Sequence, residues 1–175
     1  MPRVLWMIVG VSALTATGCQ SPDTSSMLSI TYGSGEFAPP VEVDTNCDDG
    51  GCDGLEQLQA TLNFDQQGFV SGTAQVEILQ YKVEYGLYDL AADNQPPYYA
   101  GVTTVVVNIN DSVDFNVRAA GSNQRDWIRA RYGDRQLDGT ATLTLAGYDQ
   151  LNQVVQVSSD FDISFGDFVT DGATP

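Results

Sequence analysis

Two stretches near the end of the chain alternate apolar and polar residues with a period of two, and no other feature constrains the fold as tightly. Ala141, Leu143 and Leu145 interleave with Thr140, Thr142 and Thr144. Val155, Val157, Phe161, Ile163 and Phe165 interleave with Gln156, Asp160, Asp162 and Ser164. Successive strand side chains point to opposite faces, so each stretch buries one face and wets the other. Between them Tyr148-Asp149-Gln150-Leu151-Asn152 carries turn chemistry, which joins the two strands into a hairpin.

The same period runs through most of the chain from Leu58 onward. Leu58, Leu62 and Phe64 alternate with polar neighbours before the turn Asp65-Gln66-Gln67-Gly68. Val76 and Ile78 alternate in one phase, and Tyr81, Val83, Tyr85 and Leu87 in the other. A slip of one residue near Leu79 predicts a β-bulge, because one extra residue reverses the facing. Val102 to Ile109 is a dense β-branched run suited to a central strand, and Asn110-Asp111-Ser112 turns it into Val113 to Val117. One segment breaks the pattern. Gly121-Ser122-Asn123 offers a cap, and Ile128 and Tyr132 stand four apart. A helix over 124–132 is favoured over a strand facing Ile128, Ala130 and Tyr132 inward.

The expectation is an all-β chain: an antiparallel β-sandwich of immunoglobulin-like type with about seven strands and one short helix. No buried cysteine pair with a tryptophan between them is present, so membership of the true immunoglobulin family is not supported. The expected organisation is an export segment over 1–18, a tether over 19–54 in which Met27 to Tyr32 alternates as a short edge strand would and Val41 to Val43 offers another extended piece, the β-domain over 55–169 and a tail over 170–175.

Charge narrows the partners. The chain has 7 Lys+Arg against 23 Asp+Glu, a net −16, with Lys82 its only lysine. Such a field repels nucleic acid and anionic headgroups, so no nucleic-acid partner is expected. There is no histidine. That removes histidine general bases, Ser-His-Asp and Cys-His arrangements, and histidine-ligated zinc. No glycine-rich phosphate loop and no CxxC pair occurs.

The first residues read as an address. Met1-Pro2-Arg3 gives a short basic start and Val4 to Leu14 an apolar run of signal-peptide length, too short to span a bilayer. Ala16-Thr17-Gly18-Cys19 follows. Small residues before a cysteine, directly after the apolar core, resemble the lipobox of bacterial lipoproteins. Ala16 departs from the usual leucine at the third position before the cysteine. The resemblance implies lipidation of Cys19, cleavage before it, and a membrane attachment through lipid. Gln20 in place of aspartate implies the outer membrane by the same resemblance. With Cys19 lipidated, two of the three cysteines remain. Cys47 and Cys52 are then able to pair in an oxidising compartment. The C-terminal third, through Ala146-Gly147-Tyr148-Asp149 with Asn152 and Ile163-Ser164-Phe165-Gly166-Asp167-Phe168, also resembles small bacterial lipoproteins that end in such a hairpin. That likeness implies a similar β-sandwich and assigns no activity.

Three groups of residues invite a chemical reading. Asp44, Asn46 and Asp48 have the spacing of the first three ligands of a calcium loop, with Asp49 and Asp53 close by. The glycine comes one position late and Leu55 occupies the twelfth position, so this is not an EF-hand. A disulfide-braced acidic turn is the plainer reading, and no metal or cofactor is assigned. Arg118, Arg125, Arg129, Arg131 and Arg135 cluster around the predicted helix, as an anion-binding patch or as arginines paired with Asp126, Asp134 and neighbouring acids. Tyr98, Tyr99 and Trp127 offer aromatic faces to a sugar. Asp160 and Asp162 point the same way from one strand, yet a glycosidase would need such acids in a cleft. The expected function is a non-enzymatic envelope module on a lipid anchor. It binds an envelope protein or a glycan, the alternatives being a calcium-stabilised carbohydrate-binding or adhesion module and, less favoured, an envelope hydrolase. The module predicts an exposed apolar or aromatic patch on a sheet face; the hydrolase predicts a deep pocket with converging carboxylates.

Overall fold

The computed structural model describes residues 27–33, 39–46, 56–65 and 74–168. Cys19, Cys47, Cys52, Asp48, Asp49 and Asp53 lie outside them, as do the export segment and the tail.

The described chain is mostly β, with eight strands and one helix. The strands are β1 (Leu28–Tyr32), β2 (Val41–Asp44), β3 (Gln57–Phe64), β4 (Gln75–Leu87), β5 (Tyr99–Asn108), β6 (Asp111–Arg118), β7 (Leu137–Asp149) and β8 (Val154–Gly166); α1 (Ser122–Tyr132) lies between β6 and β7. They form a three-stranded sheet ordered β1-β3-β6 and a five-stranded sheet ordered β2-β8-β7-β4-β5. The all-β expectation and the helix hold. The antiparallel pattern has one exception: β2 runs parallel to β8, with Val41 opposite Ile163.

The β-domain also begins earlier than residue 55. β1 pairs with β3, Leu28 opposite Phe64, and buries Leu28 and Ile30. β2 buries Val41 and Val43 against β8. Part of the stretch read as a tether therefore belongs to the sheets. The two extended pieces at Met27 to Tyr32 and Val41 to Val43 are thus strands, and their place in the sheets was not legible because their partners lie far along the chain.

Alternation explains the layers. On β7, Leu137, Ala141, Leu143 and Leu145 are buried, and on β8, Val155, Phe161, Ile163 and Phe165. These side chains meet Leu58, Leu62 and Phe64 of β3 in one core. The rings of Tyr85 and Phe165 meet edge to face, 5.5 Å between centroids. Tyr32 of the smaller sheet packs on Phe161 of the larger at 5.8 Å. The bulge falls where the phase slips: the pairings of β4 with both neighbours shift between Ile78 and Gln80. This keeps Val76 and Ile78 inward on one side of the bulge and Tyr81, Val83 and Leu87 inward on the other. Leu79 is left on the surface.

Helix α1 starts two residues before the expected span. Its cap is Gly121, whose N–H donates to Gln124 Oε1 at 3.0 Å, the backward half of a capping box. Ile128 enters the core, and Gln124 is buried because its amide donates to the carbonyls of Pro97 and Tyr98 at 3.1 Å each. The helix is thereby pinned to the loop before β5.

Candidate functional site

Three places on the described surface bear on function. The first is the N-terminal part of the acidic turn. Asp44 ends β2 and is buried, and its Oδ1 accepts the N–H of Asn46 at 2.7 Å. Thr45 N–H donates to the Gly166 carbonyl at 2.8 Å, continuing the β2–β8 pairing by one step. Asn46 Nδ2 reaches Asp167 Oδ2 at 3.5 Å, and its Oδ1 is buried with no hydrogen bond among the described residues. An aspartate that accepts the N–H two residues on stabilises a turn. Among the described residues no three carboxylate, cysteine or histidine groups are placed to hold a metal. The structure thus gives Asp44 a turn-closing role.

The second place is a cleft of about 280 Å³ at the start of α1, lined by Tyr98, Tyr99, Ala100, Arg118 and residues 121–124. Three segments build it: the start of β5, the end of β6 and the first turn of the helix. Tyr99 forms one wall by packing on Tyr81, 6.0 Å between ring centroids. A Cβ on Gly121 would stand 2.9 Å from the Tyr99 ring, so a side chain there would close part of the cleft. Arg118 is held from behind by Glu56, its Nε 3.7 Å from Oε2.

Glu56 is the unusual charge here, its side chain only 3% exposed. Arg125 donates to its Oε1 from the helix and Arg118 approaches from β6. A buried carboxylate needs such partners, since stripping its water without them costs several kcal/mol. The arginine cluster anticipated from the sequence is dispersed by the fold. Arg118 and Arg125 share Glu56, Arg135 pairs with Asp89 at 2.6 Å, and Arg131 lies on the Trp127 ring at 4.3 Å. Trp127 packs with Tyr132, 5.9 Å between centroids, and does not line the cleft with Tyr98 and Tyr99. Glu56 was missed in the sequence because nothing local distinguishes an acid destined for burial.

The third place is the outer face of the five-stranded sheet. One end of it is polar. Thr142 donates to Asp160 at 2.7 Å, Thr144 and Ser158 share a hydrogen bond of 2.9 Å, and Tyr88 meets Thr140 at 2.9 Å. Ser164 donates to Asp138 at 2.5 Å and Gln136 donates at 3.0 Å, and together they hold the Asp138 carboxyl below its usual range. Asp160 and Asp162 are exposed on this face. The other end is apolar. Leu79, Val102, Val106, Tyr148 and Val154 are all exposed, and register puts Val106 opposite Glu77, Glu77 opposite Tyr148, and Tyr148 opposite Val154. The apolar residues therefore run across four adjacent strands, with Leu79 pushed out by the bulge. A shallow groove of about 180 Å³ lies among Leu79, Gln80, Ala146, Gly147, Tyr148 and Val154.

No described helix is long and apolar enough to cross a membrane. Comparison of the chain with protein-family models, with curated proteins and with solved structures finds no significant match.

Proposed function

We propose that this chain is a non-enzymatic binding module of the bacterial envelope, an immunoglobulin-like sandwich attached to the outer membrane through lipid on Cys19, which docks a protein on the apolar end of its larger sheet. The carrying observation is the group of exposed apolar residues Leu79, Val102, Val106, Tyr148 and Val154, spread over four strands around Glu77 on a chain of net −16. Clustered exposed apolar side chains in a polar setting mark interaction sites. Two further features support the reading. The strand order, with one sheet β1-β3-β6 and the other β2-β8-β7-β4-β5, and with β2 parallel to the last strand, matches the way immunoglobulin-like sandwiches split consecutive strands between sheets. The cleft at α1 and the groove beside Leu79 carry no carboxylate in their linings, and Glu42, Asp138 and Asp162 line a third, open groove at the polar end of the sheet.

The test has two parts. Intact mass of the membrane-extracted protein should show a lipidated chain starting at Cys19; an unmodified cysteine or retained residues 1–18 ends the anchor. Crosslinking in the native envelope should capture a protein that is lost from a Leu79→Glu/Tyr148→Glu variant. Capture that is unchanged by those substitutions overturns this face.

A second reading rests on the cleft. Tyr98 and Tyr99 beside Arg118 suit a glycan bearing a carboxylate, the rings taking the sugar face and the guanidinium the acid. Titration with acidic oligosaccharides should give binding that Tyr98→Ala weakens; no heat with any of them removes the glycan.

A further inference from the structure

Four strands form the edges of the two sheets: β2 and β5 of the larger, β1 and β6 of the smaller. An exposed edge offers unpaired N–H and C=O groups to another chain, and proteins blunt edges with charge, proline or brevity. Three of the four are blunted. β2 has four residues, including Glu42 and Asp44, and follows Pro40. β1 has five residues. β6 carries Asp111, Asp114 and Arg118. β5 is different: ten residues, Tyr99–Asn108, with no charge and no proline. It hydrogen-bonds to β4 on one side only; β6 follows it through a short turn and lies close to it, yet among the described residues no element other than β4 hydrogen-bonds to 100–107. Val102, near its middle, is 88% exposed.

We infer that β5 is a homodimerisation edge, on which the β5 of a second copy pairs antiparallel about a two-fold axis at Thr104. The sequence of β5 is what singles out a second copy. Pairing must keep outward residues opposite outward residues, and Ala100, Val102, Thr104, Val106 and Asn108 are the exposed set. An axis through Thr104 satisfies this. It sets Val102 opposite Val106 of the second copy, Val106 opposite Val102, and Thr104 opposite Thr104. β-branched and threonine pairs are favourable cross-strand neighbours.

Charge points the same way. Two chains of net −16 repel wherever their surfaces carry acids. The β5 edge is a ten-residue line along which two copies approach with no like charges in contact. The interface is therefore apolar and hydrogen-bonded, and the remaining repulsion is long-range. The pairing would join the two larger sheets into one of ten strands and merge the two apolar bands. It shares Val102 and Val106 with the proposed docking face but does not depend on that face having a protein partner.

Sedimentation of the full chain in nonionic detergent tests it. A monomer–dimer equilibrium is expected, with dimer increasing as salt is raised from about 0.01 M to about 1 M, over which the Debye length falls from about 30 to about 3 Å. Val102→Lys/Val106→Lys should weaken dimerisation by at least about tenfold, equivalent to about 1.4 kcal/mol, while circular dichroism stays unchanged because both residues are exposed. Thr104→Cys should give a covalent dimer on mild oxidation, well above the level from the native cysteines alone; Thr142→Cys, in mid-sheet, should not. A chain that is monomeric at every salt concentration overturns the inference. So does a dimer that survives the lysine pair, or one in which Thr104→Cys crosslinks no better than Thr142→Cys. Envelope capture by the Leu79 and Tyr148 face is read separately, so either result can fail alone.

Discussion

The hydroxyl of Tyr85 donates to the carbonyl of Ala119 at 2.7 Å, tying β4 of the five-stranded sheet to the chain that leads into α1. Both residues are buried. A Tyr85→Phe substitution keeps the ring against Phe165 but strands a buried carbonyl. The expected loss is about 1–3 kcal/mol of stability, the usual cost of an unpaired buried group. Urea unfolding followed by circular dichroism measures it; an unchanged midpoint would show that water reaches Ala119.

The buried tyrosines also set an alkaline limit. Burial pushes the Tyr81 hydroxyl up to about 12 and that of Tyr85 higher still, against about 10 in an unfolded chain. Burial raises Tyr32 as well. The folded state thus keeps protons that the unfolded state releases. Their contribution is fully present below pH 10 and is lost as pH climbs from about 10 towards about 12. Urea midpoints should be level near pH 9 and fall above pH 10. A Tyr81→Phe/Tyr85→Phe variant should show a shallower fall; an equal slope would assign the effect to other groups.

The buried Glu56 and the half-buried Arg125 form a pair whose members depend on each other. Arg125→Met removes the nearer of the two arginines from the buried Glu56, and should cost about 3–5 kcal/mol. Glu56→Leu/Arg125→Met removes both charges and should recover much of that loss. Strict additivity of the two single changes in thermal unfolding would contradict the coupling.

Gly147 sits opposite Ile78 at the bulge of β4. A Cβ there would lie 1.9 Å from the Glu77 carbonyl oxygen and 2.7 Å from Ile78 Cα, both backbone atoms. Gly147→Ala must spread β4 from β7 and should destabilise by about 1–3 kcal/mol. Proton–deuterium exchange across Glu77 and Ile78 should rise with it. Unaltered exchange would mean that the strands accommodate a methyl group there.

The β7–β8 turn depends on a left-handed residue, Asn152 at φ 57°. Asp149 Oδ1 accepts the N–H groups of Leu151 at 2.8 Å and Gln153 at 2.9 Å, which holds the turn around it. Asn152→Gly should leave stability within a few tenths of a kcal/mol, and Asn152→Val should cost about 1–2 kcal/mol because its Cβ crowds the following carbonyl. Thermal midpoints in that reverse order would refute the turn geometry.

Much of the fold was legible in local pattern. The β7–β8 hairpin, the phase slip at Leu79 and the helix carrying Ile128 each leave a signature within about a dozen residues, because side-chain facing is set by backbone period. The strands β1 and β2 were read as short extended pieces of a tether, since segments of four and five residues show their place in a sheet only through distant partners in β3 and β8. The cleft was half legible. Tyr98 and Tyr99 stood out as sugar-stacking rings and Arg118 separately as one of an arginine group, but Trp127 was grouped with the tyrosines, and helix geometry instead turns it towards Arg131 and Tyr132.

By itself the sequence determined the β class, the facing of most long strands and the acidity of the surface, since periodicity and charge are properties of neighbours along the chain. Only the tertiary structure decided that Glu56 is buried between two arginines, that β2 runs parallel to β8, and that the uncharged β5 lies at a sheet edge. Each of those depends on which remote segments meet, and strand pairing brings together residues whose separation along the chain carries no local mark.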